Sequence, residues 1–145
     1  MVHWGAINPK LIAAWQCLSG EQIISQAEAY VVLAVRFRCC DTLLNRPSLW
    51  FIDNEAARFS FIKGASPSLS MSLIIREVAL IDASSPTGAW YERVASQSNI
   101  ADLPSRGEHM KACKMVNGTP KGDIALSEDV MKRLQTRSFS ELIAR

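Results

Sequence analysis

The 145-residue chain, 48% apolar and 21% charged, has the length and balance of one compact domain, which excludes extensive intrinsic disorder. Its net charge of +2 is too small to mark a protein that coats nucleic acid, and the excess lies in one part: residues 1–107 hold nine Lys/Arg against nine Asp/Glu, residues 108–145 seven against five. No apolar run approaches the roughly 20 residues of a membrane span, and Met1-Val2-His3-Trp4 lacks the features of a signal peptide, so no membrane attachment is expected.

From the N-terminus, Trp4 to Gln16 is apolar and broken at Asn8-Pro9, which reads as two short strands joined by a turn, with Trp15 facing a core. Residues 25–40 predict a helix: Ala27, Val31, Ala34, Val35 and Arg38 recur at helical spacing with no Gly or Pro between them. After a break at Arg46-Pro47, Leu49-Trp50-Phe51-Ile52 forms a continuous apolar run, as expected of a central strand buried on both faces. Asn54 can cap a helix from Glu55 to Ile62, which Gly64 would end. Leu69, Leu73, Ile74 and Val78 mark a second helix over 69–82. Ala89 to Val94 alternates like a strand with two unlike faces, and the polar stretch from Ser96 to Arg106 suits a short helix or turn near Pro104.

Residues 1–107 therefore read as one domain and 108–145 as a linker with a helical tail. Val116 to Gly122 is the linker, Ser127 caps a helix carrying Val130, Met131 and Leu134, and Ser138-Phe139-Ser140-Glu141 has the spacing of a capping box. Cys17, Cys39, Cys40 and Cys113 form no CxxC pair and only His3 and His109 could join them, so the cysteines are expected as reduced, mostly buried thiols in an intracellular protein. The four tryptophans read as core residues, and His109 as a solvated loop histidine.

Three acids stand out by position. On a helix, Val32, Val35 and Cys39 fall within about 40° of Glu28, so this carboxylate belongs to the apolar stripe that should face a sheet. The alternative is a first-turn acid favouring the helix dipole. Asp53 ends the most apolar strand, where ligand sites collect in open α/β sheets, although it could also serve as a helix cap. Asp102 lies three residues after Asn99 in a polar segment, where a locally hydrogen-bonded loop acid is the other reading.

In order and context these acids resemble the ribonuclease H domain of retroelement reverse transcriptases. Gln26-Ala27-Glu28-Ala29-Tyr30 is similar to the segment bearing that family's catalytic Glu. Trp50-Phe51-Ile52-Asp53-Asn54-Glu55-Ala56-Ala57 resembles its central strand, catalytic Asp and following helix. Arg93 to Arg106, through Ser98-Asn99-Ile100-Ala101-Asp102, resembles its closing segment. The likeness spans roughly residues 4–107 and departs in one respect. The family begins with a strand carrying a further catalytic Asp, whereas here Trp4-Gly5-Ala6-Ile7 looks like the second strand of the first hairpin, and Glu21 is the first acid in the chain.

The resemblance implies an α/β fold with a ribonuclease H-like mixed sheet flanked by helices, lacking its first strand and carrying a C-terminal helical extension. It implies Glu28, Asp53 and Asp102 as catalytic metal ligands, with Mg²⁺ or Mn²⁺ assisting hydrolysis of the RNA strand of RNA–DNA hybrids. Asn54, Asn99 and Arg106 become weaker candidates for contacts to substrate. A second expectation is a degenerate module without catalysis that binds nucleic acid or a protein. A third is that a partner, or a second copy of the chain, supplies the missing strand.

Overall fold

The computed structural model describes residues 1–20 and 22–136. It is a mixed α/β structure whose two small sheets, β1–β4 and β2–β3, are each two-stranded and parallel. The single mixed sheet expected from the sequence is therefore absent among the described residues. No described helix is long and apolar enough to cross a membrane.

The chain opens with β1 (Val2–His3) and then α1 (Pro9–Ser19), where two strands were expected. Asn8-Pro9 is a helix start rather than an interruption. The Asn8 side chain accepts the Lys10 N–H at 2.9 Å, and Pro9 occupies the first helical position, where its missing N–H costs nothing. Trp15 faces the core, as expected, and is fully buried.

Helix α2 (Ile24–Arg38) matches the predicted helix, but its central buried face is Gln26, Ala29, Leu33 and Arg36 rather than the stripe through Glu28. Val31, counted in the apolar periodicity, is exposed. The short α3 (Cys40–Leu43) follows, and Asn45 then takes a positive φ of 57°, which Asn tolerates better than most residues.

Strand β2 (Pro47–Ile52) leads into α4 (Glu55–Lys63). Asn54 caps this helix through the Ala57 N–H at 2.9 Å, and Gly64, at φ 66°, ends it in the left-handed conformation. α5 (Leu69–Ser84) packs along α2, burying Leu73, Ile74 and Val78. β3 (Gly88–Arg93) then pairs with β2, from Pro47 opposite Gly88 to Ile52 opposite Arg93.

One face of this sheet packs inward: Ile52 is buried, and Trp50 and Tyr91 lie against the core, with Tyr91 stacked on Phe61 at 5.1 Å. The other face carries Leu49, Phe51 and Trp90, which are 57%, 59% and 67% exposed. β2 is thus buried on one face, not two, because no further layer covers it among the described residues. The expectation that all four tryptophans are core fails here at Trp90, and again at Trp4, which lies outside the core cluster.

A 3₁₀ turn (Ser96–Ser98) precedes α6 (Asp102–Ser105) and α7 (His109–Met115). His109 begins a helix and stacks on Trp4 at 4.2 Å instead of lying in a solvated loop. Within the expected linker, β4 (Pro120–Gly122) pairs with β1, Val2 opposite Pro120. α8 (Glu128–Leu134) starts where Ser127 was expected to cap it, and its Val130 and Leu134 join the core of α1, α2 and α5. The capping-box spacing at 138–141 lies outside the described residues. All four cysteines are free, but only Cys113 is buried; Cys17 is exposed because it sits on the outer side of α1.

Candidate functional site

Each candidate acid sits at a junction. Glu28 occupies the first half of α2, Asp53 follows the last residue of β2, and Asp102 begins α6. Asn54 performs the capping that Asp53 could have done, so the Asp53 carboxylate is free for other contacts.

The fold brings Glu28 and Asp53 together. The Glu28 carboxyl is pushed up to about 7, first by burial, then by the Asp53 charge and a hydrogen bond to Asp53, and last by the Asp102 charge. A neighbouring carboxylate and withdrawal from water both favour the protonated form of Glu28. Asp53 Oδ1 is buried and has no hydrogen-bond partner among the described residues. A proton on Glu28 supplies Asp53 with a donor, and a bound cation would relieve both charges together.

Asp102 joins this group less closely. It acts on Glu28 through its charge, and its own carboxylate accepts a hydrogen bond from Arg106 Nη2 at 2.9 Å. Arg106 is therefore engaged by Asp102 rather than directed to a substrate. Asn99 accepts the Ala101 N–H at 3.1 Å and shapes the turn before α6, while Asn54 is held as a cap. All three weaker candidates thus have local structural partners.

Beside the acids runs a groove of about 220 Å³, lined by Glu28, Asp102, Asp123, Trp4, Tyr30 and Val31 among others. The exposed Val31 is part of this apolar wall. Asp123 was not anticipated from the sequence. Its carboxylate lies over Gly5, where an added Cβ would come within 1.8 Å of Oδ1, so only a residue without a side chain leaves it this position. The Tyr30 phenol is raised above its ordinary value by burial first and by Asp123 second. Gly5 and Asp123 come together through β1–β4 pairing, so no local spacing could have revealed them.

Among the described residues, no three His, Cys, Asp or Glu side chains are gathered closely enough to hold a metal ion by themselves. Glu28 and Asp53 interact most strongly, the Asp102 charge reaches Glu28, and Glu28, Asp102 and Asp123 line the groove. Magnesium sites commonly use one or two carboxylates and complete their shell with water and substrate phosphate, a donor set these residues suit. Compared with family models, curated proteins and solved structures, the chain finds no match.

Proposed function

We propose that the chain is a ribonuclease H-type nuclease module acting on RNA–DNA hybrids in an intracellular setting, with Mg²⁺ or Mn²⁺ as cofactor. The observation that carries this reading is the meeting of Glu28 and Asp53, with the Asp102 charge in range, around a buried and unpartnered Asp53 Oδ1. Two acids from separate elements meet, with the charge of a third in range, where each gains nothing from the others, an arrangement more typical of a site than of a stabilising network. Their order along the chain and the parallel β2–β3 pair beside them accord with the family resemblance.

Glu28 and Asp53 are the proposed metal-holding pair, and Asp102 would add negative charge that favours the cation. Bound Mg²⁺ would supply Lewis acidity at the phosphate and lower the pKa of attacking water. Asn54 holds the backbone after Asp53, and Arg106 sets the direction of Asp102. The test is cleavage of a labelled hybrid with Mg²⁺ or Mn²⁺. Activity is expected, and Asp53→Asn should abolish it. No cleavage, together with no metal-dependent rise in melting temperature, would overturn the proposal.

The second reading is a nucleic-acid- or protein-binding module without catalysis. The Arg106–Asp102 ion pair favours it, because that Arg already neutralises one of the acids. Hybrid binding that persists in Asp53→Asn, without cleavage by either protein, would establish this reading over the first.

A further inference from the structure

The groove contains polar groups that the Glu28–Asp53 pair leaves unused. On α2, Tyr30, Val31, Ala34 and Val35 line it; Tyr30 with Ala34 and Val31 with Val35 are i, i+4 pairs, so the four side chains make one continuous strip. Facing them, the segments after β1 and β4 supply Gly5 and Asp123.

Tyr30 is 9% exposed, and the Asp123 charge reaches its phenol. Among the described residues, neither the Tyr30 hydroxyl nor the Asp123 carboxylate has a hydrogen-bond partner, and Asp123 is in no ion pair. A hydroxyl on so buried a side chain is ordinarily satisfied, and an orphaned one at a cavity wall marks a place for a ligand.

The sign of that ligand follows from the lining. The groove residues include three acids, Glu28, Asp102 and Asp123, and no Lys or Arg. Arg106 answers Asp102, and Glu28 is engaged with Asp53, which leaves Asp123 as the groove acid without a counterpart among the described residues. An anion would be repelled, and a cation would find a carboxylate, a hydroxyl and an apolar wall. The volume of about 220 Å³ suits one small molecule rather than a peptide or a nucleic-acid strand.

We infer that this groove binds a small alkylguanidinium, its head held by Asp123 and the Tyr30 hydroxyl and its aliphatic arm laid along Val31, Ala34 and Val35. The planar fork of a guanidinium matches a carboxylate with two N–H groups, and a third N–H can be accepted by the Tyr30 oxygen. A guanidinium is more weakly hydrated than an ammonium, so it enters an apolar groove at smaller cost. Gly5 is part of the site because a side chain there would displace the Asp123 carboxylate. This inference does not depend on the nuclease reading, which uses Glu28 and Asp53.

Calorimetric titration of the full chain with n-butylguanidinium, in EDTA so that metal plays no part, tests the inference. Saturable binding of one equivalent is expected in the millimolar range or below. Butylurea, of similar shape but uncharged, should bind about tenfold more weakly or worse, the effect of losing charge-assisted hydrogen bonds. Asp123→Asn should weaken butylguanidinium by a similar factor. Gly5→Ala retains every charge and moves only the Asp123 carboxylate, so it should weaken binding likewise while circular dichroism matches the parent. Tyr30→Phe should have a smaller effect in the same direction. No saturation at tens of millimolar, equal binding of butylurea, or binding indifferent to both Asp123→Asn and Gly5→Ala would overturn it.

Discussion

Two glutamates show how differently one fold treats a carboxylate withdrawn from water. Glu77, on α5, is 3% exposed and is held by a two-pronged contact from Arg133 of α8, with Nε and Nη2 each at 2.8 Å. Glu28, on the adjoining α2, meets no cation among the described residues; it neighbours Asp53, and its carboxyl is pushed up to about 7. The first arrangement fastens a helix to the core, and both charges are answered. The second leaves excess negative charge beside an open groove, so the folded state is poised to take up a proton or a cation. Burial alone does not distinguish them. The sign of the neighbour does.

The largest test of this contrast is Arg133→Ala. It leaves Glu77 only the longer 3.8 Å contact with the more exposed Arg76 and should lower unfolding free energy by about 2 kcal/mol in urea denaturation. A near-zero change would mean that α8 does not secure Glu77 and would remove the contrast.

Glu28→Gln should act in the opposite direction. The Glu28 carboxyl titrates near 4.5 when unfolded and about 7 when folded. Between those values the folded state binds the extra proton, so stability present below pH 4.5 is lost as pH rises through 7. After allowance for the solvent that reaches this half-buried group, Glu28→Gln should stabilise the protein by about 1 kcal/mol above neutrality and flatten the pH profile of its melting temperature. An unchanged profile would show that Glu28 and Asp53 do not interact in solution. The smallest expected effect is that of Arg106→Ala, under about 0.5 kcal/mol for a solvent-exposed pair. It should nonetheless raise the Glu28 pKa further, as followed by carboxyl NMR, because the Asp102 charge loses its counter-ion.

How far the sequence reaches follows from which interactions are local. Asn54 and Gly64 bracket α4 as expected because capping depends on neighbours a few residues away. Ser127 opens α8 for the same reason. Asn8-Pro9 contains an equally local signal, cap then first helical residue, yet the apolar, tryptophan-rich surroundings suggested strands. The misjudged burial of β2 has another origin: Leu49-Trp50-Phe51-Ile52 states that the strand is apolar, whereas the number of layers covering it depends on other segments. Asp53 stands out by its place after β2, whereas Glu28 lies off the central buried face of α2, so the stripe that singled it out is not what brings it beside Asp53. Asp123 was invisible because its relevance comes from Gly5, at the far end of the chain.

The pairing of β1 with β4 has a consequence for the order in which the molecule assembles. The two α-helices that form the centre, α2 and α5, lie near one another along the chain, with β2 between them and β3 directly after α5. The groove instead needs residues near Trp4 to meet residues near Asp123, one of the longest loop closures available here. Such contacts carry the greatest entropic cost and tend to form late. The central fold should therefore collapse before the groove exists, and refolding should show a slow final phase. Trp4, stacked on His109 only once the termini have closed, provides a fluorescence signal for that last step, separable by Trp4→Phe from the burial of Trp15.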